Sequence, residues 1–167
     1  MIQVYTGNGK GKTTAAIGQA VRARGQGLKV GVFQFLKAGK QTGEAQILEK
    51  VGVLFRQYGS GRWLINCLPE QEEVDLAMRG LEEVKQAISE GYNLVVLDEL
   101  SHAINFGLIP LDRVLSFITE LPKDVELVLT GRDMPEQLIA SADLVTEMKE
   151  VKHPYKKGIA FRRGIEY

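Results

Sequence analysis

The chain has 167 residues and 18.5 kDa, with 44% hydrophobic, 25% charged and 7% aromatic residues, the composition of an ordinary globular domain. A chain of this length buries about 70% of its unfolded surface, so a core forms without disulfides or a structural metal, and one domain over residues 1–167 is expected. The lone Cys67 cannot close an internal disulfide and is expected to be a small buried hydrophobe; no apolar run approaches a membrane span, and Met1 leads straight into strand-like Ile2-Gln3-Val4-Tyr5 rather than into a leader, which together predict a cytoplasmic protein. The formal charge is zero but segregated. Residues 1–67 carry 10 Lys/Arg against 2 Asp/Glu, residues 68–148 carry 5 against 17, and the last 19 residues carry 6 against 2. Two basic ends around an acidic middle suit a polyanionic ligand, while the acidic middle itself also reads as a solvated helix face.

In chain order, Ile2 to Tyr5 reads as a short strand, followed by a glycine-rich turn and a helix from Thr13 to Gln26 closed by Gly25 and Gly27. Val30 to Phe35 is a strand, Gly43 to Lys50 a short helix and Val53 to Tyr58 a further strand, broken by Gly59-Ser60-Gly61. From Glu70 to Ser89 apolar residues recur mostly three or four apart after Pro69, which predicts a long helix ending at Gly91. Leu94 to Leu97 is a fully apolar strand ending in Asp98-Glu99. Leu111 to Leu121 is a helix, Val125 to Leu129 a strand, Pro135 to Ala142 a helix, and Leu144 to Met148 the last clear strand; Lys149 to Tyr167 is left open between a strand and a wrapped tail. This alternation predicts an α/β fold with a mostly parallel sheet and helices on both faces.

The chemistry-bearing motif is Thr6-Gly7-Asn8-Gly9-Lys10-Gly11-Lys12-Thr13-Thr14, set between the first strand and the first helix. Glycines let backbone N–H groups turn inward, the helix N-terminus adds partial positive charge, Lys12 adds a full one, and the Thr13 hydroxyl is a hard ligand for Mg²⁺, so the segment predicts a polyphosphate cradle. Gly7 and Gly11 enclose three residues where the common phosphate loop has four. Asp98 and Glu99, at the end of a buried strand, supply the acidic partner that holds a phosphate-bound Mg²⁺ and its waters; acids ending a strand at the surface are the alternative. Thr130-Gly131-Arg132 closes another strand, and Arg132 either reaches the phosphates or faces solvent. His102 and His153 lack metal-ligand spacing and read as structural or surface histidines. On these residues alone, an ATPase or kinase working at the γ-phosphate and a nucleotide-dependent switch that binds nucleic acid remain alternatives; zero net charge and a single tryptophan weigh against nucleic acid.

The phosphate loop with its three-residue spacing, Gln34-Phe35-Leu36-Lys37, Val95 to Leu100, Thr130-Gly131-Arg132, Ala142 to Glu147, Lys152-His153-Pro154 and Gly164 to Tyr167 together resemble the P-loop ATP:corrinoid adenosyltransferase family, in order and over nearly the whole chain. The resemblance implies a RecA-like fold, a homodimer, and transfer of the 5′-deoxyadenosyl group of ATP to the Co(I) of a reduced corrinoid with release of triphosphate. It implies a Mg²⁺ requirement and a flavoprotein reductase as a partner. Such a reaction needs no activated side-chain nucleophile, because Co(I) attacks carbon directly; it needs a stabilised leaving group. Carried onto this sequence, Gly7, Asn8, Gly9, Lys10, Gly11, Lys12, Thr13 and Thr14 bind nucleotide with Arg22 and Arg132; Thr13, Asp98 and Glu99 hold the metal; and Lys12, Thr13 and Glu99 serve catalysis. Trp63, with Arg62, is the candidate corrinoid contact in the loop where relatives place aromatics under the corrin ring, although an aromatic there also serves as a core anchor. Some relatives carry a segment ahead of the first strand that covers the site; here closure is expected from the partner subunit or from the basic tail Lys149 to Arg163.

Overall fold

The fold is taken from a computed structural model, described over residues 1–39, 42–62, 68–160 and 162–165. Trp63 and Cys67 therefore lie outside the described residues. Among the described residues six strands form one sheet: β1 (Ile2–Thr6), β2 (Val30–Phe35), β3 (Leu54–Tyr58), β4 (Leu94–Asp98), β5 (Glu126–Thr130) and β6 (Leu144–Glu147). Their spatial order is β3-β2-β4-β5-β1-β6, and each neighbouring pair is parallel, so the sheet is parallel throughout rather than mostly so.

The helices are α1 (Lys12–Gly25), α2 (Gly43–Lys50), α3 (Gln71–Ser89), α4 (Leu100–Asn105), α5 (Leu111–Thr119) and α6 (Glu136–Ser141). Sequence periodicity locates all of them except α4, whose six residues offer fewer than two turns of pattern. Boundaries move by one or two residues where the pattern meets a cap: α1 starts at Lys12 rather than Thr13, and β3 starts at Leu54 rather than Val53. The tail contains a short 3₁₀ turn, Pro154–Lys157.

A parallel sheet must be covered on both faces, and β4 shows how this is met. Val95 and Leu97 point into a core built with Ala77, Leu81, Val84, Val114, Phe117 and Leu138 of α3, α5 and α6. Leu94 and Val96 point the other way, onto Ala16, Ala20 and Ala23 of α1 and Ala45 and Leu48 of α2. The alanine face of α1 lets it lie close to the sheet, which holds its N-terminus at the carboxyl end of β1. β6 is exposed along its whole length and contributes little to either core.

Gly80, in the middle of α3, is set against the sheet side: a Cβ there would lie 2.8 Å from the Tyr58 ring and 3.0 Å from Phe35. Neither ring can retreat, because Phe35 is fully buried and the Tyr58 hydroxyl donates to Glu83 at 2.7 Å. Gly80→Ala recovers about 1 kcal/mol of helix propensity, but overpacking of this kind costs typically about 1–3 kcal/mol. A net loss of about 1 kcal/mol is expected in urea unfolding; a stabilised variant would show that the two rings yield.

Candidate active site at the carboxyl end of the sheet

The phosphate loop leaves β1 and folds against the end of β6. Met148 N–H donates to Thr6 O at 2.8 Å, and Gly9 N–H donates to Met148 O at 2.6 Å. A Cβ on Gly7 would come within 2.7 Å of Met148 O, and one on Gly9 within 2.6 Å, so both positions exclude any larger residue; Gly7 also sits at φ 93°. The Lys12 side chain, 7% exposed, crosses inside the loop and donates to Gly7 O at 2.6 Å and Gly9 O at 2.9 Å. Burial pushes its ammonium below the usual lysine range, with Arg132 acting in the same direction and Glu99 and Asp98 opposing. An ammonium held this way, short of a full counter-charge, is suited to a polyphosphate oxygen. The tail also reaches the loop, where Lys10 Nζ donates to Ile165 O at 2.9 Å.

Asp98 is fully buried and accepts four hydrogen bonds. Thr13 Oγ1 at 2.9 Å and Thr130 Oγ1 at 2.7 Å bind its Oδ1; Gln34 Nε2 and Lys37 Nζ, both at 3.0 Å, bind its Oδ2. Burial works against charge on Lys37, but Asp98 outweighs it and holds the ammonium above the usual lysine range. Because the Thr13 hydroxyl hydrogen is directed at Asp98, its lone pairs are free for a ligand. Lys37, Gln34 and Thr130 lie in segments legible as motifs, yet their convergence on one carboxylate was not legible, since separate strand ends supply them.

Glu99 follows at φ 61°, the left-handed region, where its N–H donates to Thr130 Oγ1 at 3.0 Å. Its Oε2 lies 2.6 Å from His102 Nδ1, one turn into α4. Burial works against charge on Glu99, but His102, Lys37 and Lys12 outweigh it and hold the carboxyl below the ordinary range. His102 is thus brought against the candidate metal residue Glu99, a contact that its sequence reading as a structural or surface residue did not include. His153 lies in the tail, beside Glu150. Gly131, at φ 142°, is enforced by Ser101, whose Oγ would be 1.9 Å from a Cβ and donates to Arg132 O at 2.5 Å. This bond fixes the loop that carries Arg132 near Lys12.

Of the remaining sequence candidates, Asn8, Gly11 and Thr14 lie on the loop and the head of α1. Arg22 sits on the exposed side of α1, about 15 Å along the helix axis from Lys12, with its Nη1 on Gln19. Arg62 Nε and Nη2 bind Glu73 at 3.2 and 3.0 Å, Nη1 binds Glu70, and Ser60 Oγ donates to Glu73 at 2.7 Å. The guanidinium therefore ties the loop after β3 to the head of α3, beside a shallow depression lined by Leu36, Tyr58, Gly59, Ser60 and Leu108. Trp63, immediately beyond, is outside the described residues.

Among the described residues no three His, Cys, Asp or Glu side chains converge as a metal cage. The donors present are Thr13, Asp98 and Glu99, hard oxygens on one side of the phosphate loop, which fits a small divalent cation that takes its other ligands from phosphate and water.

These features define a protein of the α/β class with a RecA-like P-loop fold. Among known proteins, the family model described as ATP:corrinoid adenosyltransferase BtuR/CobO/CobP matches residues 1–167. The chain is 36% identical over 169 residues to the corrinoid adenosyltransferase of Escherichia coli (strain K12), covering 100% of this chain and 85% of that protein. It is 37% identical over 170 residues to the Salmonella typhimurium corrinoid adenosyltransferase CobA, with the same coverage, and 38% identical over 171 residues to the Pseudomonas aeruginosa enzyme, covering 83% of it. The chain belongs to the ATP:corrinoid adenosyltransferase family, a family of transferases whose substrates are ATP and a corrinoid.

Thr130→Val keeps shape but removes the hydroxyl that donates to Asp98 and accepts from Glu99. Leaving a buried carboxylate short of one partner costs about 1–3 kcal/mol. Thermal unfolding is expected to shift down and ATP affinity to fall with it; a variant equal to the parent in both would show that Asp98 is held adequately without Thr130.

Proposed function

We propose that this protein transfers the 5′-deoxyadenosyl group of ATP to the Co(I) of a reduced corrinoid and releases triphosphate. The observation that carries the reading is the convergence of Lys12, Thr13, Asp98 and Glu99 around the short phosphate loop, in a chain that matches the family from end to end. The corrinoid cobalt supplies the electron pair, the new bond forms to C5′, and the C5′–O bond breaks with its electrons going to triphosphate. No proton need be removed before attack, so the work of the chain is to bind the leaving group and to align it.

In this reading the loop N–H groups of Gly7 to Thr14 and Lys12 bind the triphosphate, with Lys10 and Arg132 at its margin. Lys12 leaves the Gly7 and Gly9 carbonyls for phosphate oxygen and meets the charge that grows as C5′–O breaks. Thr13 and Glu99 would hold Mg²⁺, with Asp98 acting through the Thr13 hydroxyl, since its own oxygens are already engaged. When bound, Mg²⁺ neutralises charge on the leaving triphosphate. Arg62 positions the loop that presents Trp63 to the corrinoid. Arg22 is retained as a nucleotide contact only through the family resemblance. The homodimer, the cytoplasmic location, the flavoprotein reductase and the action of residues 1–167 as one domain also rest on the sequence reading.

Incubation with MgATP and a chemically reduced corrinoid is expected to give triphosphate and a light-sensitive alkylcobalt product; ADP and phosphate without a cobalt–carbon bond would identify a γ-phosphate enzyme instead. Lys12→Ala should lower kcat by roughly 10²–10³, the usual effect of removing one stabilising group from a developing anion. Unimpaired turnover would place the reaction elsewhere.

A further inference from the structure

The head of α4 carries a contact that the transfer reaction does not itself explain. Glu99 Oε2 and His102 Nδ1 face each other at 2.6 Å as an ion-pair contact, both atoms are buried, and among the described residues no well-aligned hydrogen bond engages either of them. The imidazole is flanked by the Phe106 ring, with centroids 5.9 Å apart, and the Glu99 backbone is pinned in its left-handed conformation by Thr130. Both ends of the pair are therefore restrained.

The charges around Glu99 show why such a restraint matters. Lys12 and Lys37 both act on its carboxylate. A glutamate with free rotamers in the field of two ammonium groups is drawn toward them, which leaves its oxygens less available to any other ligand. With Oε2 committed to His102, Oε1 is the oxygen left for a ligand.

We propose that His102 is a positioning residue that holds the Glu99 carboxylate away from the neighbouring lysines and presents it to the Mg²⁺ carried by ATP. This rests on the placement of Glu99 beside the metal under the proposed function. Partners that orient a metal-site carboxylate typically change metal affinity by about 10- to 100-fold when removed. His102 is one turn from Glu99 and has no ligand spacing in the sequence, so it is visible as a functional residue only once α4 is formed.

Three variants test this: His102→Phe keeps a ring against Phe106 and removes the N–H, His102→Asn returns an N–H near the Nδ1 position, and Glu99→Gln removes the charge. ATP affinity is measured by calorimetry in Mg²⁺ and in EDTA, with adenosyl transfer assayed alongside. H102F is expected to weaken ATP binding in Mg²⁺ by about 10-fold, to leave binding in EDTA within about twofold, and H102N is expected to recover most of the loss. Should H102F not fold, H102A takes its place in the comparison. An H102F or H102A protein that binds MgATP as tightly as the parent, while E99Q loses Mg²⁺-dependent affinity, would overturn the role of His102 alone. If E99Q also keeps full Mg²⁺-dependent affinity, the placement of Glu99 at the metal fails and the His102 proposal fails with it. Parent protein that binds MgATP but forms no alkylcobalt product would instead refute the transfer reaction and leave the His102 result to stand on binding.

Discussion

A fully buried carboxylate organises this structure. Taking an unpaired Asp98 out of water would cost several kcal/mol, and the fold meets that cost with four donors drawn from α1, from β2 and the loop that follows it, and from β5. The contacts that bury Asp98 also bring the candidate site residues together. Leu36 adopts φ 65° just before Lys37, and Glu99 adopts φ 61° just after Asp98, so the backbone departs from ordinary geometry beside both members of this half-buried ion pair. Two of the donors also act beyond Asp98, since Thr13 offers its lone pairs to a ligand and Thr130 fixes the amide of Glu99.

The phosphate loop meets a complementary constraint. With three residues between Gly7 and Gly11, the turn is tight, and it is backed by the Met148 carbonyl at a distance that admits only glycine at positions 7 and 9. This gives β6 a clear purpose. The strand adds little to either hydrophobic core, yet its end is the surface on which the loop is shaped. Lys12 then lies inside the turn, partly desolvated and satisfied by neutral carbonyls. Such a group is ready to exchange those carbonyls for an anion, which is what stabilising a departing triphosphate requires.

The opposite end of the site is held by charge of another kind. Glu73, almost buried at the head of α3, gathers Ser60, Arg62 and the amide of Glu70. The cation that the sequence offers as a direct corrinoid contact is engaged in joining the loop after β3 to α3. Ser101, by bonding Arg132 O across the space that a Cβ on Gly131 would need, performs the same service for the loop after β5. The loops around the site are thus tied down by polar contacts at their bases.

Much of this was legible in the residues. Strand–helix alternation, the fully apolar run ahead of Asp98-Glu99, and the glycine and lysine pattern after β1 determine a parallel α/β sheet with a phosphate-loop motif at its carboxyl end, because each depends on near neighbours in the chain. The partners of Asp98 come from residues 13, 34, 37 and 130, and no local pattern predicts that these will meet. His102 escaped for a different reason: α4 is too short to leave a periodic signal, so its spacing from Glu99 carried no weight. The sequence by itself determined the strands, the helices other than α4, the phosphate-loop motif and the family. Only the tertiary structure decided which side chains neutralise, orient and confine one another, because those pairings depend on the order β3-β2-β4-β5-β1-β6, which brings together strand ends far apart along the chain.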